Sequence, residues 1–130
     1  MPEPVWLRDD VVQAIHLRQL AEHGGEVGIR DAGLLASALA RPKNLLAYAE
    51  QEPDLPALAA AYAFGLSSNH PLLGGNKRTA YVSCRTFLKL NGHDIEAPRE
   101  EKYITFLRLA KGALTEEGLA SWLRDHLTSK

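Results

Sequence analysis

Asn69-His70-Pro71-Leu72-Leu73-Gly74-Gly75-Asn76-Lys77-Arg78-Thr79 is the stretch that decides how this chain is read. It interrupts a helical pattern that runs on both sides of it. Before it, Asp54 opens a run through Leu58, Tyr62 and Leu66 that repeats on one helix face and ends near Asn69. After it, a helix begins near Asn76, with Ala80, Cys84, Phe87 and Leu88 in a buried stripe, and Asn91-Gly92 closes it. Gly74-Gly75 lets the backbone between them bend and approach a ligand closely. A glycine loop therefore feeds a helix start, where the first amides have no acceptor inside the helix.

That junction has chemical consequences. Free amides and the helix dipole favour an anion at the start of the second helix. Lys77 and Arg78 lie in its first turn, where cations oppose the dipole. An anionic ligand converts the conflict into a binding site, and phosphate suits an arginine that grips through two hydrogen bonds. His70 stands just before, and an imidazole titrating near neutrality can accept a proton from an attacking hydroxyl. His70, Gly74, Gly75, Asn76, Lys77 and Arg78 thus read as base, phosphate nest and clamp. Phosphoryl transfer asks mainly for such positioning and charge neutralisation. The same residues also fit a plain reading: a turn, a helix cap at Asn76 and two solvated cations. Physics alone leaves both open.

The rest of the chain predicts an all-α fold, a single domain over residues 1–130 with about six helices and no convincing strand. Asp9 or Asp10 caps a first helix to His23, with Val11, Ile15, Leu17 and Leu20 inward, and Gly24-Gly25 stops it. Asp31 caps a second, with Leu34, Leu35, Ala38 and Leu39 on one face, and Pro42 is expected to end it. Residues 43–53 read as a loop or a short turn. Pro98 opens a fifth helix through Tyr103, Phe106, Leu107 and Ala110. Thr115 caps a sixth, with Leu119, Trp122, Leu123 and Leu127 inward.

Composition removes several classes of function. The net charge of -1 provides no global field for nucleic acid or an anionic membrane, so no direct DNA binding is expected. The longest apolar stretch, Leu55 to Leu66, is too short to span a bilayer. One cysteine, Cys84, cannot form an intrachain disulfide and fits a reducing cytoplasm, and no leader peptide is apparent. The five histidines show no metal-ligand spacing.

The loop resembles the signature of the Fic/Doc family, written H-P-F-x-[DE]-G-N-[GK]-R. His70, Pro71, Gly75, Asn76, Lys77 and Arg78 match in register, and lysine followed by Thr79-Ala80 is similar to the Doc (death on curing) branch. Gly28-Ile29-Arg30-Asp31, Gly33-Leu34-Leu35 and Ala40-Arg41-Pro42 resemble its upstream pattern. The resemblance implies an all-helical fold with the loop between two central helices. It implies His70 as general base, Gly74, Gly75 and neighbouring amides as the anion nest, Asn76 as a phosphate or loop-ordering contact, and Lys77 and Arg78 as neutralising cations. It further implies a toxin that phosphorylates elongation factor Tu from ATP, halts translation and is neutralised by a Phd-type antitoxin, itself the DNA binder. AMP transfer is the alternative, and Tyr81 stands where the longer Fic motif has a second arginine.

Two departures follow. The family's Mg²⁺-holding acid falls at Gly74, so no protein ligand for the metal is expected there, and magnesium would arrive with the nucleotide. This opens a third reading, a weakened Fic-fold binding module, in which an Asp at position 74 is expected to raise transfer. Leu72 replaces the family's phenylalanine plug. Elsewhere, His16, His23, His93 and His126 read as surface, capping or terminal residues. Arg85 either extends the phosphate site or pairs on the surface, Arg30 and Asp31 form a pair or a cap, and Tyr48 packs. Lys43 and Tyr48 could edge a target-docking face. Asp54 and Asp94 cannot be placed from sequence.

Overall fold

Asp31, Asp54 and Thr115 each start a helix by accepting a backbone N–H three residues on, at 3.0, 3.0 and 2.9 Å. These caps satisfy donors that helix geometry leaves open. The computed structural model describes residues 3–129. In it the order is α1 (Asp9–His23), α2 (Ala32–Tyr48), α3 (Leu55–Asn69), α4 (Asn76–Leu90), β1 (His93–Ile95), α5 (Arg99–Ala110), α6 (Glu116–Asp125) and β2 (Leu127–Ser129). The expected helical architecture is present.

α3 is the axis of the fold. Ten of its 15 residues are buried, and α2, α4, α5 and α6 all pack on it. Its alanines bring these neighbours close. Tyr62, fully buried, lies against the Phe87 ring at 5.0 Å, and its hydroxyl accepts the Leu7 amide at 3.1 Å. A buried phenol needs such a partner. Ala80, Cys84, Phe87 and Leu88 are buried as the stripe predicted. The same α3 whose axis organises the core therefore ends at the loop, and α4 begins there.

Several expectations are corrected. Pro42 does not end α2, which continues to Tyr48. Proline cannot donate to the carbonyl of Ala38. That carbonyl instead faces Gly65 of α3, where an added Cβ would sit 3.2 Å from it and 3.1 Å from the Ala38 Cα. The close crossing holds the helix through the missing bond, and the extra turns bring Leu45 and Leu46 onto the core. Tyr48 does not pack; it is 83% exposed at the helix end. Leu17 and Tyr103 also face outward, because α1 buries the stripe Val12, His16 and Leu20 and α5 buries Thr105, Phe106 and Leu109.

A small sheet exists where none was expected. α6 stops at Asp125, and β2 pairs antiparallel with β1, His93 opposite Ser129 and Ile95 opposite Leu127. Three-residue strands are too short to show a period of two. Leu127 is thus a strand residue. Arg85 of α4 holds Asp94 at 2.9 and 3.1 Å, which fixes β1 to the core.

The α2–α3 crossing gives a test. Gly65→Leu should force the two helices apart and cost about 1–3 kcal/mol by overpacking, measured by chemical denaturation.

Candidate active site

The loop between α3 and α4 is tied from three directions. His70 ends α3 in the left-handed region, at φ 47, and its side chain is exposed. Arg30 donates to the carbonyls of His70 and Asn69 at 2.6 and 2.8 Å, gripping the acceptors that the helix end leaves open. Arg30 and Asp31 do not pair: Asp31 caps α2, and both backbone amides donate to the Pro71 carbonyl, at 2.7 and 3.1 Å. The segment before α2 also makes an antiparallel bridge, Ile29 to Leu72, and Gly28 accepts the Leu73 amide at 3.0 Å. Residues 24–31 therefore form an arm laid along the loop. Leu72 is 1% exposed and anchors the loop in the interior as a phenylalanine would.

Asn76 ties the loop from within. Its side chain accepts from the Leu72 amide at 3.0 Å and donates to the Leu72 carbonyl at 2.9 Å. This is the loop-ordering role, and it displaces the cap expected of Asn76. The N-cap of α4 is Gly75, at φ 70, a conformation that side chains resist. No side chain caps α4. Gly75 accepts the Thr79 amide at 2.9 Å, but the amides of residues 76–78 donate to no acceptor among the described residues. The nest is open.

Lys77 and Arg78 line a cleft of about 560 Å³ between α1, α4 and α5. Gln19, His23, Tyr81, Val82, Arg99, Lys102, Tyr103 and Phe106 complete its walls, and no acid is among them. The Lys77 ammonium lies over the Tyr103 ring at 4.8 Å. Neither Lys77 nor Arg78 pairs with a carboxylate among the described residues, whereas Arg8, Arg18, Arg41, Arg85 and Arg124 all do. Of the candidate site residues, Lys77 and Arg78 line the cleft; His70, Gly74, Gly75 and Asn76 are on the adjoining loop and helix start, outside the cleft walls.

Position 74 does not fit a metal-holding acid. A Cβ on Gly74 would lie 2.9 Å from the Glu26 amide nitrogen and 3.2 Å from its carbonyl oxygen, backbone atoms of the arm. No group of three or more His, Cys, Asp or Glu assembles among the described residues. Asp54 caps α3 and pairs with Arg124 at 2.7 Å, a bond that lowers the carboxyl's pKa, and Asp94 serves Arg85. Neither acid replaces the missing one. Arg85 is thereby committed to the fold rather than to phosphate.

His16 is the residue that sequence reasoning misplaced. It is 3% exposed, on the inward stripe of α1, and its Nε2 accepts the Gly28 amide of the arm at 3.4 Å. Its Nδ1 is buried and unpartnered among the described residues. Burial lowers its pKa. The i, i+4 spacing of Val12, His16 and Leu20 was the available signal. His126 is not a free terminal residue either: it stacks on Trp122 at 4.5 Å and lies 3.0 Å from Glu101. His93 has a buried Nδ1. Cys84 is fully buried, which pushes its thiol up and leaves it inert. Lys43 lies over Trp6 at 5.9 Å.

Comparison with known proteins places the chain in a family. The model of the Fic/DOC family matches residues 6–88, from before α1 to near the end of α4. The chain belongs to the Fic/DOC family. It is 41% identical over 90 residues to Toxin Doc of Mycolicibacterium smegmatis, covering 69% of this chain and 66% of that protein. It is 30% identical over 111 residues to Protein kinase doc of Escherichia phage P1, covering 85% and 86%. Within this Fic/DOC chain the matched span holds the arm, the loop and the start of α4. Arg99, Lys102 and Tyr103 lie beyond it.

Two measurements follow. A buried histidine with a lowered pKa binds fewer protons folded than unfolded, so stability declines as pH falls below about 6.5. His16→Gln keeps an acceptor for Gly28 and should flatten that decline in thermal melts between pH 5 and 7. Gly74→Asp should displace the arm and cost about 1–3 kcal/mol; faster amide exchange at residues 25–28 reports the displacement.

Proposed function

We propose that this chain is a Doc-type toxin that transfers the γ-phosphoryl group of ATP to a hydroxyl of a protein. One observation carries the reading: α4 starts with amides that have no acceptor among the described residues, and Lys77 and Arg78 of that first turn line a cationic cleft with no acid in its walls. Such a site favours a polyanion and disfavours most other ligands. The name Protein kinase doc, borne by a relative matching along most of this chain, supports phosphoryl over AMP transfer. The name Toxin Doc supports the toxin role.

In this reading the target hydroxyl attacks the γ-phosphorus, His70 takes its proton, and the bond to the β-phosphate oxygen breaks to release ADP. The amides of residues 76–78 and the cations of Lys77 and Arg78 receive the charge that develops on the phosphate oxygens. The exposed His70 side chain is where a protein substrate can reach it. Elongation factor Tu is the target we propose, in the cytoplasm, and a Phd-type antitoxin the neutralising partner. The arm over Gly74 favours a second reading, a binding module with weakened transfer, because it holds position 74 closed to a metal-binding acid.

ATP labelled at the α or γ phosphate separates the readings when incubated with elongation factor Tu. γ label on the target supports the kinase, and α label would mean AMP transfer. Capture of the target without either label would mean the binding module. In the kinase case His70→Ala should lower the transfer rate by about 10²–10⁴-fold.

A further inference from the structure

The cleft carries more positive charge than the family motif accounts for. Arg99 and Lys102 stand three residues apart on one face of α5 and line the cleft opposite Lys77 and Arg78. Neither side chain makes an ion pair or hydrogen bond among the described residues. α5 repeats the conflict seen in α4: its N-cap, Pro98, offers no side-chain cap, and Arg99 sits in its first turn against the dipole. Glu100 and Glu101 in that turn suit the dipole, but neither lines the cleft, and Glu101 accepts the Trp122 indole N–H at 2.8 Å and lies 3.0 Å from His126. Four cations from the beginnings of two helices thus converge on one concavity in a chain of net charge -1. Like charges gathered in a crevice repel one another, and a polyanion removes the repulsion.

The closure of position 74 gives this surplus a meaning. The arm backbone occupies the space that a carboxylate at 74 would need, and among the described residues no acid lines the cleft to hold a cation beside the phosphates. We infer that Arg99 and Lys102 form a second anion subsite, and that this cleft binds a nucleoside polyphosphate by protein cations without a protein-held metal. The inference rests on the nucleotide reading above and adds to it the residues of α5 and the metal independence. The nest and Lys77–Arg78 take one end of the polyphosphate, and Arg99 and Lys102 take the next phosphates along the cleft. Affinity should then rise with phosphate number and fall with salt.

Calorimetric titration of ATP, ADP and AMP into the whole chain, in excess EDTA or in Mg²⁺, tests this without any activity readout. ATP should bind in EDTA within about threefold of its affinity in Mg²⁺, and more tightly than ADP and AMP. Arg99→Glu with Lys102→Glu should weaken ATP by more than about tenfold, with Arg99→Gln and Lys102→Gln falling between, and thermal melts should confirm that all remain folded. ATP binding that requires Mg²⁺, or that is unchanged in both α5 double variants, would overturn the inference. Lys77→Ala with Arg78→Ala tells the two failures apart. If that pair weakens ATP while the α5 variants do not, only the second subsite is lost; if it too changes nothing, the nucleotide reading falls with it.

Discussion

A helix end leaves carbonyls without donors, and at the end of α3 Arg30 supplies them. Its guanidinium holds the last carbonyls of α3, while its own amide holds Pro71. Everything at the site depends on that grip. It fixes where α3 stops, lays the arm of residues 24–31 along the loop, and so sets the direction from which α4 begins. The nest is open because the loop is already satisfied elsewhere: Leu72 is buried and bound by Asn76, Pro71 by the arm, Leu73 by Gly28. An anion site made of backbone amides needs that kind of order, since a loop free to move would lose its donors to itself or to water.

The same arm explains the chain's departure from its family's motif. A tight backbone approach at Glu26 and a side chain at position 74 exclude each other. Glycine there is a packing requirement of the arm as it is seated here, and adding a carboxylate means unseating the arm. An aspartate at 74, which the motif reading expects to raise transfer if Gly74 is the defect, would have to meet that backbone. The arm's backbone at Glu26 makes position 74 part of a tertiary contact that the motif alone cannot reveal.

Much of the architecture was legible because its signals are local. Asp31, Asp54 and Thr115 capped where their side chains announced it, and the Ala80–Leu88 stripe was buried as its spacing required. The loop's boundaries followed from two glycines and a proline. What stayed hidden was non-local. Pro42 carries the signal of a helix end, and only Gly65 on another helix overrules it. His16 reads as a surface residue until α1 is rotated by one position, so that Val12 and Leu20 face inward with it. β1 and β2 are each meaningless alone and form only when chain positions far apart meet. Arg30 looked like half of an ion pair, and its true partners are carbonyls that sequence never displays. Arg99 and Lys102 lie on an ordinary charged helix start until α5 is folded against α4.

The burial of α3 bears on how the molecule moves. Its cover comes from segments both before and after it, α2 and the Leu7 region on one side, α4 and α6 on the other. No single neighbour can swing away and leave the rest in place, so α3 belongs to the part of the molecule that opens only when the whole chain comes apart. The turn it feeds is held by separate ties, Arg30 on its first carbonyls and Asn76 on Leu72, so it can open locally while α3 stays closed. The exposed imidazole of His70 stands at the border between these two levels of protection.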